Sequence, residues 1–172
     1  MTRSLLWLPA LLALALPPTP TPAPVARAPI GPGAILAMHR DLFAAIDRGD
    51  GAAAAAFLGS DRKGPGGSTS LFLLDRAGAP TRATGATDAR ELLAKVAAES
   101  KSAGGTFQTR ITTEIAECPA SELAFAVLEL ERVHAHDGRE EVRRYRSTSL
   151  VRYEESGWKL LHWHLSAAAG TE

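Results

Sequence analysis

The feature that most constrains the fold is the stretch 106–166, which reads with a period of two and is broken only by short turn signals. Alternation of that kind sends successive side chains to opposite faces of a strand, so one face can be buried while the other stays solvated. Thr106 to Cys118, Glu122 to His136, Glu140 to Tyr153 and Trp158 to Ser166 are predicted as four strands. Pro119-Ala120, Asp137-Gly138 and Ser156-Gly157 fall between them as hairpin turns, which makes the four an antiparallel meander. In the first of these strands Phe107, Ile111 and Ile115 are expected on one face.

A meander needs a cover for its apolar face, and the preceding residues supply it. Ile35, Met38, Leu42 and Ile46 recur at three- and four-residue spacing between Ala34 and Arg48, which places them on one side of a helix. Gly49 is a suitable stop, Asp50 a suitable N-cap, and the alanine run to Leu58 a short second helix. Within the glycine-rich loop that follows, Gly64-Pro65-Gly66-Gly67 lacks a succeeding Lys-Ser/Thr and is no phosphate cradle. Ser70 to Asp75 and a return through Thr81 and Thr84 read as a hairpin. Asp88 with Glu91 reads as a capping box for a third helix carrying Leu92, Leu93 and Val96 and ending before Gly104-Gly105. The expected class is α+β: three helices in the N-terminal half, packed on a curved mixed or antiparallel sheet of about six strands.

Upstream, Arg3 precedes an apolar run from Leu5 to Leu16, the pattern of a secretory signal, here residues 1–28. That run is too short to cross a bilayer, so no membrane association is expected of the mature form. Cleavage fits the small-x-small rule at Ala13-Leu14-Ala15 and at Ala26-Arg27-Ala28. Pro17, Pro18, Pro20, Pro22, Pro24, Pro29 and Pro32 make 17–33 a leader tail and linker, ahead of a folded domain over 34–167 and a tail over 168–172. Export to the periplasm or beyond is the expectation. Lys plus Arg and Asp plus Glu balance at 19 each, so no net basic field draws in nucleic acid. Cys118 is the only cysteine, and an intramolecular disulfide is therefore impossible.

The order helix, helix, hairpin, helix, meander, closing on Gly157-Trp158-Lys159-Leu160-Leu161-His162-Trp163-His164-Leu165-Ser166, resembles the nuclear transport factor 2-like (NTF2-like) superfamily. It is most similar to SnoaL-like domains, which often finish on a Gly-Trp-basic-Ile-x-His-x-His-x-Ser strand. The resemblance covers 34–166 and implies a cone-shaped barrel with a pocket between the concave sheet and the helices. In ketosteroid isomerases of that superfamily a helix-one tyrosine and a protonated aspartic acid polarise the substrate carbonyl while another aspartate shuttles the proton. The tyrosine position falls here on Leu42 and the acid on Thr148 or Ser149; only the shuttle base has a match, Asp75. One carboxylate without oxyanion donors cannot supply the stabilisation such chemistry needs. The leader implies export, and the resemblance implies a protein that binds a small molecule in the cone. A weak lyase or isomerase, or a dimeric scaffold, is the alternative.

Pocket candidates follow from face parity. Leu161, Trp163 and Leu165 share one side of the last strand and are expected inside; Arg146 and Thr148 share a face that would line the same pocket, where Arg146 suits an anionic ligand. Asp75 joins them, although Asp75-Arg76-Ala77-Gly78 is also an ordinary turn sequence. His162 and His164 point the other way, to the convex face, where a homodimer interface is expected. Two-residue turns would set His162 and His164 opposite Ser149 and Ser147, and His134 and His136 opposite Glu141 and Arg139. The two pairs then stand more than about 20 Å apart and cannot share one ion. No metal and no cofactor is expected. Arg143, Arg144, Arg146 and Arg152 are expected to pair mainly with Glu129 and Glu131.

Overall fold

The computed structural model describes residues 31–60, 68–75, 78–120 and 122–168. The predicted signal segment, nearly all of the linker and the Gly64-Pro65-Gly66-Gly67 turn lie outside the described residues. Helix α1 runs Pro32–Asp47, begins with proline at its first turn, and buries Ile35, Leu36, Met38, His39, Leu42, Phe43, Ala45 and Ile46. Gly49 ends it in the left-handed region at φ 72°. Helix α2, Gly51–Ala55, is capped by the Asp50 carboxylate, which accepts the Ala53 N–H at 2.9 Å. Strands β1 (Ser70–Leu74) and β2 (Pro80–Thr84) form the early hairpin. Helix α3, Ala86–Ser102, starts two residues before the expected capping box. Its cap is Gly85, without a side-chain bond, and Asp88 instead adds its charge to the first turn, where the helix dipole favours it.

Strands β3 (Thr106–Ala120), β4 (Leu123–His136), β5 (Arg139–Glu154) and β6 (Gly157–Ala167) form the meander. The sheet order is β2-β1-β6-β5-β4-β3, with β1 parallel to β6 and every other pair antiparallel. The sheet is therefore mixed and not closed, with edges at β2 and β3; the cone is an open one. Asp137 (φ 50°) and Gly138 (φ 73°) make the two-residue β4–β5 turn, in the conformation that matches strand twist. The other turns shift. β3 pairs through Ala120 with Leu123, and β5 ends at Glu154, so Glu155-Ser156 forms the last turn.

Of three register shifts in the sheet, one lies at the end of β3 between Glu117 and Ala120, and the other two set which side chains face inward. Ile111 pairs with Leu130 and Thr113 with Glu129, so Thr112 is an extra residue in β3. Beyond it the parity inverts: Ile115, expected beside Phe107 and Ile111, lies on the outer face at 52% exposure. In β6, Leu160 pairs with Val151 and His162 with Leu150, so Leu161 is the extra residue. His162 and His164 consequently stand opposite Leu150 and Thr148, one position away from the expected Ser149 and Ser147. His134 and His136 do pair with Glu141 and Arg139. The outer ion pairs are Arg144–Glu131 and Arg146–Glu129, while Arg143 and Arg152 pair along their own strand with Glu141 and Glu154.

The core lies between α1 and the concave face. Trp163, Leu42, Ile35, Leu71, Leu73, Leu128 and Leu160 are all at most 2% exposed. Cys118 is half-buried and free.

Candidate functional site

Where α1, α3 and the inner faces of β1 and β3 to β6 diverge, a cavity of about 70 Å³ opens. Its floor is apolar, two aromatic rings among aliphatic side chains: Phe43 and Ile46 from α1, Leu73 from β1, Leu130 from β4, and Trp163 and Leu165 from β6. Trp163 packs against Phe43 with ring centroids 5.7 Å apart and donates its Nε1–H to Ser147 Oγ at 2.8 Å. With that donor committed, the indole offers the cavity only ring surface. The mouth is polar, formed by Asp75, Thr109, Arg132, His134, Glu141, Arg143 and Tyr145. Odd positions of β5 and even positions of β4 converge there because both strands keep an unbroken inward parity across the paired register.

Each guanidinium at the mouth already has a carboxylate. Arg132 Nε lies 3.3 Å from Asp47 Oδ1, its Nη2 donates to Ser100 Oγ at 2.6 Å, and its carbon sits 4.5 Å from the Phe107 ring centre. Asp47 also accepts the Thr109 N–H at 2.6 Å and the Thr109 hydroxyl at 3.0 Å. Arg143 Nε donates to Glu141 at 2.6 Å, and that bond raises the guanidinium pKa further above its ordinary value. The His134 ring stacks on Phe107 at 4.2 Å and contacts the Gly104 carbonyl through Nε2 at 2.8 Å. A carbonyl can only accept, so Nε2 donates, and in that tautomer the lone pair is on Nδ1.

Of the residues expected at the pocket, Asp75, Trp163 and Leu165 line it. Asp75 is a turn residue as well: its Oδ1 accepts the Ala79 N–H at 2.8 Å. Arg146 and Thr148 do not line it. Regular alternation in β5 turns Ser147 and Ser149 inward and leaves Arg146 and Thr148 exposed outside, with Arg146 donating to Glu129 at 3.2 Å. Leu161 is buried away from the cavity, close to Gly59, as the bulge residue. His162 and His164 are on the outer face, where His162 Nδ1 is 2.8 Å from Ser70 Oγ and both rings contact Phe72. Burial, then the neighbouring His164, lowers the His162 pKa.

His39 is the polar core residue that sequence reasoning missed. It is fully buried on α1, donates Nδ1–H to the Ile35 carbonyl at 2.8 Å, and accepts the Ser149 hydroxyl on Nε2 at 2.8 Å. Burial lowers its pKa from 6.5 to about 4. The signal was its spacing, four residues from both Ile35 and Phe43 on the apolar face. Ser149, one of the two positions matched to an isomerase oxyanion acid, thus has its hydroxyl spent inside the core, and the tyrosine position is the apolar Leu42.

The SnoaL-like domain model matches residues 35–170. No curated protein matches the chain. Among solved structures, a candidate dehydratase of the NTF2-like family from Streptomyces avermitilis superposes with a TM-score of 0.67 at 13% identity, over 80% of this chain and 96% of that one. A candidate scytalone dehydratase from Novosphingobium aromaticivorans gives 0.60 at 13% identity, over 79% and 83%. The CaMKII hub of S. rosetta gives 0.57 at 19% identity, over 82% and 100%. At such identities the likeness is one of fold.

Proposed function

The chain belongs to the SnoaL-like domain family, and we propose that it binds a compact, uncharged cyclic molecule in the cavity between α1 and the sheet. One observation carries this reading: an apolar floor that includes the Phe43 and Trp163 rings lies beneath a mouth whose two guanidinium groups are each neutralised by a carboxylate, Arg132 by Asp47 and Arg143 by Glu141. An anionic ligand would find no uncompensated cation there and would face Asp75. A neutral ring with a hydroxyl can bury its apolar part against Phe43 and Trp163 and hydrogen-bond to Asp75 or His134 Nδ1. The volume of about 70 Å³ is far below the roughly 300–1,000 Å³ typical of larger ligand sites, which favours a single ring. Isomerase chemistry is not part of the proposal, because Leu42 and Ser149 offer the cavity no oxyanion donor. The n- and h-region pattern of residues 1–16 supports an exported protein.

Phenol and benzoate distinguish the charge preference. Phenol at a hundredfold excess over its dissociation constant should stabilise the chain by about 2.7 kcal/mol, read as a raised thermal midpoint. Benzoate should do far less, and Leu165→Trp, which fills the cavity from its half-buried wall, should abolish the phenol effect. Stabilisation by benzoate alone, or an undiminished phenol effect in Leu165→Trp, would overturn the proposal.

A homodimer through the outer face of the sheet is supported by a second observation. The register aligns Ile115, Val127, Thr148, His164 and Phe72 in one row and Phe125, Leu150 and His162 in the next, with Ile115 52% and Leu150 40% exposed. A continuous apolar and aromatic belt of that kind is the sort of surface a second copy covers. Leu150→Arg should convert the dimer to monomer in light scattering; a wild-type monomer at high micromolar concentration would contradict this reading.

A further inference from the structure

We propose that His162 and His164 form half of a zinc-type divalent metal site, completed by the same two residues of a second copy. The proposal rests on the outer-face dimer above and goes beyond it. Imidazole nitrogen is a good ligand for zinc-class ions, which take four ligands tetrahedrally. Two histidines at alternate positions on one face of β6 present two such nitrogens side by side. Among the described residues no group of three or more His, Cys, Asp or Glu could hold a metal within one copy. One chain therefore offers this site two ligands, and a two-fold axis through the belt would supply the other two.

The surroundings of the pair are those of a braced ligand set. Ser70 Oγ lies 2.8 Å from His162 Nδ1. A Nδ1–H donated to that oxygen fixes the ring plane and leaves the Nε2 lone pair for an ion, the usual role of a partner behind a metal-bound histidine. Phe72 supports both rings, with centroids 5.7 Å from His162 and 6.3 Å from His164. His164 is exposed and has no hydrogen-bond partner among the described residues, so its nitrogens are uncommitted. Arg82 lies against the same Phe72 ring, its guanidinium carbon 5.0 Å from the centroid.

The site is also central. His162 and His164 pair across β5 with Leu150 and Thr148 and across β1 with Ser70 and Phe72, and β6 is one of the two central strands of the six-stranded sheet, within reach of a two-fold axis through its outer face. In a self-complementary interface the residues nearest the axis meet their own copies.

The test is the dimer dissociation constant of the purified chain by sedimentation, in EDTA and with added zinc chloride. Zinc should tighten the dimer at least tenfold and bind at one ion per two chains by elemental analysis. In the double variant His162→Gln/His164→Gln the dissociation constant should be the same with zinc as in EDTA, whatever its value in EDTA. Cobalt should give the strong visible absorption of a tetrahedral nitrogen site in wild type and not in the double variant. A dimer indifferent to zinc overturns the metal site while leaving the dimer reading intact; a monomer in both conditions overturns both. Tightening that survives in the double variant, or one ion per monomeric chain, also overturns the site.

Discussion

Trp163→Ala should cost the domain about 3–5 kcal/mol of stability, the range for removing a large buried aromatic side chain. The indole is 2% exposed, packs on Phe43 and bonds Ser147 through its N–H, so truncation loses packing and strands a buried hydroxyl at once. Trp163→Phe retains most of the packing and loses the hydrogen bond, and its expected cost is about 1–2 kcal/mol. Urea midpoints of the two variants check the order. A Trp163→Ala loss under about 1 kcal/mol would mean that the side chain is not the keystone between α1 and the sheet that its burial indicates.

Acid should destabilise the fold through His39. Its pKa is about 4 in the folded protein against 6.5 when unfolded, so between those values the unfolded chain binds more protons. Stability from this group is fully present above pH 6.5 and is lost as the pH falls toward about 4. With 1.36 kcal/mol per unit, the loss amounts to about 3 kcal/mol. Other groups titrate in the same range, so the clean quantity is a difference. The stability drop between pH 7 and pH 4 should be about 3 kcal/mol smaller in His39→Gln than in wild type, since glutamine carries no proton to gain. Equal drops in the two proteins would show that burial does not hold His39 against protonation.

The elements of the fold were legible because their patterns are local. α1 announces itself by four apolar residues on one face, and β6 by alternation that separates Trp163 and Leu165 from His162 and His164. The bulges were not legible. Thr112 and Leu161 each add one residue to a strand with no glycine or proline to mark it, and a single added residue inverts every side chain beyond. That is why Ile115 came out on the wrong face and why the register of the last hairpin was one position off.

The candidate site shows the same limit. Asp75, Trp163 and Leu165 could be placed from their own segments, but Arg132, His134, Glu141 and Arg143 reach the mouth through pairing between strands. Arg146 and Thr148 looked inward only while Ser147 and Ser149 were unassigned. Those two serines face inward because the core holds partners for them, Trp163 and His39. The deep histidine itself was hidden by its setting, for its neutrality comes from burial and not from its neighbours in sequence.

The central claim, a cavity for an uncharged ring, is tested most directly by nuclear magnetic resonance on the Trp163 indole N–H during a phenol titration. That group is buried beside the cavity and reports on the floor of the site without itself contacting solvent. The account predicts a saturable shift of this resonance with phenol, little response to benzoate, and none to phenol in Leu165→Trp. No saturable shift, or shifts confined to outer-face residues such as Thr148 and His164, would contradict it.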